Sequence, residues 1–282
     1  MPNTGQPVEG RRRAIFGASA ILGFMKILFI SDIFGKPGRE ALLAKLPDLV
    51  HERAVDFVIA NGENTAGGAG ITSKIAGKLL AGGVDVITTG NHIWRQKEII
   101  PFLQKSDRIV RPANYLPENP GRGRTTIEKN GVRVAVVNLS GNLYIGAPRG
   151  AFQVIDPLLA EIPDDIKYIV VDFHAEATSE KVAMGYYLDG RVTAVIGTHT
   201  HVQTADARVL PKGTAYITDA GMTGPHDSVI GVDKKIILER FLTNMPIKFE
   251  VAEDDVWIEG VLVTADAAGR ATAIENLRIK TD

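Results

Sequence analysis

The chain has 282 residues, a formal net charge of −1, 45% hydrophobic and 23% charged side chains, and no cysteine. It is long enough for one sizeable domain with a substantial core. Its near-zero charge supplies no global field to hold a stable nucleic-acid partner or an anionic membrane surface, and without cysteine any metal must be held by nitrogen and oxygen donors.

Residues 1–24 stand apart. Arg11-Arg12-Arg13 precedes an apolar run from Ala14 to Phe24. That order has the look of a leader, but the run is shorter than the about 20 residues that span a bilayer. No polar segment with a small-residue cleavage site separates it from the next apolar stretch. It reads as a non-structural N-terminal extension with Met25 as the working start, and residues 25–282 read as one domain. A cytoplasmic location is the matching expectation, with no membrane partner.

From residue 26 to about 104 the pattern alternates strand and helix. Residues 26–31 are apolar and β-branched enough for a strand. Residues 37–53 carry Leu42, Leu43, Leu46, Leu49 and Val50 at helical spacing. Residues 57–60 and 84–88 read as short buried strands. Residues 72–80 read as a helix stopped by Gly82-Gly83, and 93–104 as a helix interrupted by Pro101. The loop from Arg111 to Arg124 is a surface excursion. Residues 125–128 and 132–139 flank Asn130-Gly131, a hairpin signal. Strands follow at 168–173, 192–196, 214–217, 256–264 and 272–278, with a helix at 236–243. Strands alternating with helices imply a parallel α/β sheet covered on both faces, and the strand-rich second half fits a second sheet in the same domain.

Polar residues collect where these strands end. The ends read Ser31-Asp32, Asn61-Gly62-Glu63-Asn64, Gly90-Asn91-His92, Asp172-Phe173-His174 and Thr198-His199-Thr200-His201. Ligands of open α/β sheets bind beyond the carboxyl ends of the strands. His199 and His201, two residues apart, share one face of an extended segment, and four of the six histidines fall at such ends. Singly, Asp32 is a helix cap, Glu63 and Asn64 are solvated loop residues, Asn91 is a turn former and His174 a hydrogen-bonded histidine. Together they offer two carboxylates, amide oxygens and imidazoles at one edge, which packing alone gives no reason to gather. That inventory suits two metal ions, with a carboxylate free to bridge. His92 follows a candidate ligand and is suited to give a proton to a leaving oxygen.

The ordered series Asp32, Gly62-Glu63-Asn64, Gly90-Asn91-His92, His174 and Gly197-Thr198-His199-Thr200-His201 resembles the motifs of calcineurin-like metallophosphoesterases. Three positions depart from the common pattern. Phe34 stands where Asp-x-His has its histidine, Glu63 stands for the usual aspartate, and Ile93-Trp94 replaces the acid after Gly-Asn-His. With Phe173 to Lys181, His201 to Asp206 and Tyr216 to Gly224, the chain resembles the YmdB-like phosphodiesterases from Met25 to Lys280. The resemblance implies an α/β/β/α four-layer sandwich and a dinuclear site for divalent or mixed-valence ions, iron or manganese favoured and zinc accommodated. It implies hydrolysis of phosphodiesters, 2′,3′-cyclic nucleotides included. Carried over by position, Asp32, Glu63, Asn64 and His201 hold the first metal, with Glu63 bridging and Asn64 compensating for Phe34. Asn91, His174 and His199 complete the second, and His92 is the general acid to a metal-bound hydroxide. The family also suggests a homo-oligomer.

Remaining features have plainer readings. Gly67-Gly68-Ala69-Gly70 lacks a dinucleotide spacing and reads as a flexible rim loop. Arg149 reads as a solvated loop arginine, Trp94 as core and His51 as surface, while His226 has no role assigned. Thr223, Gly224 and Ser228 are placed to order the site edge. Two other functions share some of these signals. A metal-dependent amidohydrolase also uses His-x-His, but on an early barrel strand. A regulatory scaffold would carry the metal site as a secondary activity.

Overall fold

The computed structural model describes residues 23–281. Of the 1–24 extension, residues 1–22 lie outside the described residues, Gly23 is a turn and Phe24 already opens the first strand. In chain order come β1 (Phe24–Ile30), β2 (Asp32–Ile33), α1 (Gly35–Glu52), β3 (Phe57–Asn61), α2 (Ser73–Ala81), β4 (Val86–Thr88) and α3 (Ile100–Lys105). Then follow β5 (Arg124–Lys129), β6 (Val132–Ser140), α4 (Ala151–Ala160), β7 (Tyr168–His174), α5 (Thr178–Leu188), β8 (Ala194–Thr198), β9 (Arg208–Val209) and β10 (Ala215–Ile217). The last are β11 (Met222–Pro225), α6 (Lys234–Thr243), β12 (Val256–Asp266) and β13 (Ala271–Lys280).

The strands form two open sheets. One runs β2-β11-β12-β1-β3-β4, with β13 also paired to β12; the other runs β5-β6-β7-β8-β10-β9. In the first, β1, β3 and β4 are parallel, and in the second β6, β7, β8 and β10 are parallel. Neither sheet is the barrel that the amidohydrolase reading needs.

Period-two alternation of side chains stacks the layers. In β1, Leu28 and Ile30 face a core shared with Leu42, Leu46 and Leu79 of the helices, while Ile27 and Phe29 face the other way. Phe57 and Ile59 of β3 join Ile27 and Phe29 in a second core, where they meet Val134, Val136, Val170, Ile196 and Ile217 of the second sheet. Val137, Leu139, Val171, Phe173 and Val195 point outward to Ile155 of α4 and to Met184 and Leu188 of α5. Three apolar layers therefore separate four layers of structure, the α/β/β/α sandwich expected. Each fully buried Val, Leu or Ile contributes about 1.5–3 kcal/mol.

Local chemistry explains the boundaries. The Thr72 hydroxyl accepts the Ile75 amide at 3.2 Å and caps α2. Asn130 and Gly131 take φ of +53° and +78°, the pairing a two-residue hairpin turn demands. Pro101 does not interrupt a helix. Residues 90–96 are turns, Lys97–Ile99 form a 3₁₀ turn, and Pro101 sits in the first turn of α3, where its missing N–H costs nothing. The sequence pattern shows no sign of α4, α5, β11 or the two-residue strands β2 and β9. α5 buries Glu180, Lys181 and Gly185 beside Met184 and Leu188, so its buried face shows no apolar stripe. β11 reads Met-Thr-Gly-Pro, a composition that normally argues against a strand. No helix of the described residues is long and apolar enough to cross a membrane.

Candidate metal centre

The carboxyl ends of β1, β3 and β4 in one sheet and of β7 and β8 in the other open on the same edge. Asp32 follows β1, Glu63 and Asn64 follow β3, and Asn91 and His92 lie just past β4. His174 is the last residue of β7, and His199 and His201 follow β8. All seven expected ligands meet there, and all but Asn91 and His199 are buried.

They form two groups around Glu63. In the first, Asn64 Nδ2 lies 3.0 Å from His201 Nε2 and donates to Glu63 Oε1 at 3.2 Å, with Asn64 Oδ1 turned to His92, so Asn64 would bind an ion only with its amide turned over; Asp32 Oδ1 lies 3.9 Å from His201 Nε2. In the second, His174 Nε2 lies 3.2 Å from Glu63 Oε1, 3.0 Å from Asn91 Oδ1 and 3.0 Å from His199 Nδ1. Donor atoms of Glu63, His174 and His199 all lie within 4.8 Å of one another. Two ligands at right angles on an ion roughly 2.1 Å away stand roughly 3.0 Å apart, which is the spacing of the Glu63, Asn91, His174 and His199 donors in the second group.

The far side of each imidazole fixes which nitrogen faces inward. Thr198 Oγ donates to Asp172 Oδ1 at 2.7 Å and therefore accepts from His174 Nδ1 at 2.9 Å. His199 Nε2 donates to Glu176 Oε2 at 3.1 Å, and His201 Nδ1 donates to the Ile230 carbonyl at 2.9 Å. In their neutral forms, His174 Nε2, His199 Nδ1 and His201 Nε2 turn bare lone pairs toward the centre, the arrangement of metal-bound histidines. With both rings neutral, these two nitrogens 3.0 Å apart would repel unless a cation lay between them; without a metal, a proton on His174 Nε2 fills that place. Asp32 Oδ1 adds a buried oxygen without a hydrogen-bond partner. At Gly90 a Cβ would stand 2.2 Å from Glu63 Oε2 and 2.4 Å from His174 Nε2, so only glycine leaves the centre its room.

The electrostatics ask for positive charge. Burial pushes Asp32 up despite His174 and His201. Burial opposes ionisation of Glu63, yet His174 and His92 outweigh it and hold the carboxyl well below its usual range. Burial likewise opposes charge on His174, but Glu63, Asp32 and Asp172 raise it to about 9. His199 is pushed down to about 3 by burial and by His174 beside it. One proton is thus drawn into a carboxylate cluster that a divalent ion would neutralise more fully.

His92 sits at the rim. Its backbone N–H donates to Glu63 Oε2 at 3.1 Å, and its Nδ1 lies 2.8 Å from Asn64 Oδ1 and 3.3 Å from Glu63 Oε1. Its side chain is 29% exposed. Phe34, in place of a ligand histidine, is buried edge-on against His201 with centroids 5.5 Å apart. Gly68 of the glycine loop packs on the Phe34 ring, and Gln96 holds the loop through the Ala69 carbonyl. Ser228 donates to the Pro225 carbonyl and accepts from Gly231 N–H, shaping the turn whose Ile230 carbonyl orients His201. Trp94 packs against the first core, Arg149 and His51 are exposed, and His226 engages the Met222 carbonyl.

Sequence reasoning assigned no role to Asp172, Thr198, Glu176, Lys181 or Asp219. Asp172 had a signal: it precedes His174 by two and shares its face of β7. Burial drives its carboxyl up to about 6 while Asn61 and Thr198 bond to it.

A family model described as "YmdB-like protein" matches residues 28–277. A 2′,3′-cyclic-nucleotide 2′-phosphodiesterase of Bacillus subtilis (strain 168) is 48% identical over 259 residues, covering 92% of this chain and 98% of that protein. A crystal structure of a Thermus thermophilus protein superposes with a TM-score of 0.85 at 41% identity, covering 92% of this chain and all of that one (100%). A structure described as a novel phosphatase of Mycoplasma pneumoniae gives a TM-score of 0.85 at 36% identity, covering 92% and 94%.

Proposed function

The chain belongs to the YmdB-like family, and from that premise we propose that it is a metal-dependent phosphodiesterase acting on small phosphodiesters, 2′,3′-cyclic nucleotides among them. The observation that carries this reading is the convergence of Glu63, His174 and His199 donor atoms within 4.8 Å, with His201 and Asp32 beside them and the far nitrogen of each of these three imidazoles held by a hydrogen bond. Asp32, Glu63, His201 and, with its amide turned over, Asn64 would hold one ion, and Glu63, Asn91, His174 and His199 would hold the other. With nitrogen and oxygen donors and no thiolate, iron and manganese are favoured and zinc is accommodated.

When bound, such a pair supplies Lewis acidity at the phosphoryl oxygens and an activated water. The chain supplies the rest. Glu63 and Asn64 fix His92 through Nδ1 and the backbone, leaving Nε2 at the exposed rim without a partner among the described residues. Water adds to phosphorus and sheds a proton to solvent, one ester P–O bond breaks, and His92, whose Nε2 would carry the ring hydrogen when a turned-over Asn64 amide donates to Nδ1, would give it to the departing oxygen, leaving a phosphomonoester. Thr198, Glu176 and the Ile230 carbonyl hold the ligand imidazoles in the tautomers that binding needs.

The test is elemental analysis of the purified protein together with hydrolysis of 2′,3′-cyclic AMP and linear diesters. Two ions per chain and activity that chelation removes and manganese restores are expected. Full activity in metal-free protein would sink the reading.

A further inference from the structure

Behind the metal-facing histidines lies an ion pair that the reaction itself does not use. Lys181 of α5 and Asp219, just past β10, are each about 1% exposed, with Lys181 Nζ 2.6 Å from Asp219 Oδ2. That same oxygen accepts the Thr200 backbone N–H at 3.0 Å and the Thr200 hydroxyl at 2.8 Å. Asp219 Oδ1 accepts Gly221 N–H at 2.9 Å. Thr200 is the residue between the two histidines. His199 has φ of +103° and His201 +64°, a region that side chains other than glycine rarely adopt. Such strain persists only where the surroundings over-determine it.

We propose that the buried Lys181–Asp219 pair is the positioning device that clamps Thr200 and so sets the separation of His199 Nδ1 and His201 Nε2 across the two metal positions. The proposal rests on the metal-dependent reading above. Three strand ends meet in the clamp. Lys181 enters on the helix that follows the His174 strand, Thr200 follows β8, and Asp219 follows β10. From the other sheet, Asp32 Oδ2 accepts His199 N–H at 3.1 Å. The loop is therefore held from both sides, by a ligand of the first sheet and by Asp219 of the second. With both φ values positive, His199 presents Nδ1 to the His174 group and His201 presents Nε2 to the Asn64 group. An extended Thr200 segment would send both rings to one face and leave one group short of its histidine.

A pair that only filled space could be exchanged for apolar residues of similar volume; a clamp could not, because Thr200 would lose its acceptor. Two double variants separate these roles. Lys181→Met with Asp219→Leu removes the acceptor. Lys181→Met with Asp219→Asn removes the charges but keeps an amide oxygen for Thr200. Thr200→Val removes one donor and leaves the ion pair intact, so its folding is not at risk. Manganese affinity of each site is read by titration calorimetry on metal-free protein, and the coupling between the two ions by electron paramagnetic resonance.

The leucine double variant should bind manganese about 10–100-fold more weakly at one site or both, with altered spin coupling and a cooperative thermal transition. The asparagine double variant should recover most of the affinity, and Thr200→Val should weaken it several-fold. Wild-type affinity and coupling in the leucine variant or in Thr200→Val would overturn the clamp, as would an asparagine variant no better than the leucine one. A wild-type chain that bound no manganese would refute the metal reading itself, a result distinct from any of these.

Discussion

In the proposed reaction His92 would have to touch substrate while staying off the metals, a demand its neighbour Asn91 would not share. Ile93, fully buried in the first core, cannot supply the acid that follows this histidine in the wider superfamily motif. Asn64 and Glu63 hold Nδ1 instead. His92→Ala should therefore lower kcat by about 10²–10⁴ with both metals retained by elemental analysis. The loss should be smaller on bis-(p-nitrophenyl) phosphate, whose leaving group needs little proton help, than on 2′,3′-cyclic AMP. Metal loss in that variant would make His92 a ligand. Gly90→Ala tests the centre's room: its Cβ would press on Glu63 Oε2 and His174 Nε2. Reduced metal content and roughly 10²-fold lower kcat/KM are expected, as for a 1 Å misplacement, and wild-type metal content would refute the crowding. All seven candidate ligands were legible because unlike polar residues recurred at successive strand ends. Lys181 was not, because a lysine within a helix reads as solvated until its burial beside Asp219 is known.

Elements were legible where one local rule governed them. The hairpin at Asn130-Gly131 is such a case, since backbone twist alone dictates its turn. A Cβ at Gly131 would meet nothing within 4 Å, so Gly131→Ala isolates the cost of its φ of +78°. It should lose about 1–2 kcal/mol in urea unfolding with unchanged kcat/KM. Thr72→Ala should cost about 1 kcal/mol through the lost cap of α2, again leaving the site untouched; a change in metal content with either variant would show that these elements reach the site. Elements failed to show where tertiary structure overruled pattern. α5 spends its buried face on Glu180, which accepts the Asn142 and Leu143 amides, and on Lys181. An apolar-periodicity search passes over such a helix. β11 tolerates Gly224 and Pro225 because its pairing with β12 is only two residues long.

At the scale of the molecule, the site is a seam. Asp32, Glu63, Asn64 and Asn91 stand on ends of the first sheet, and His174, His199 and His201 on ends of the second. The apolar layer between the sheets glues them along their length, but at this edge the facing groups are buried polar atoms, among them the unpartnered Asp32 Oδ1. Bound ions would tie the sheets there, and ligands that bind only the folded chain stabilise it by mass action. At free metal about 1,000 times Kd the gain is about 4 kcal/mol. For a domain of this size that is roughly 8–16 °C in Tm. Calorimetric scans before chelation, after it, and after return of manganese should show that fall and its recovery, the apo transition remaining cooperative because the three apolar layers are intact. A Tm indifferent to chelation, in protein shown to have carried two ions, would mean that the seam is held by its side chains alone and that the metals add chemistry without adding stability.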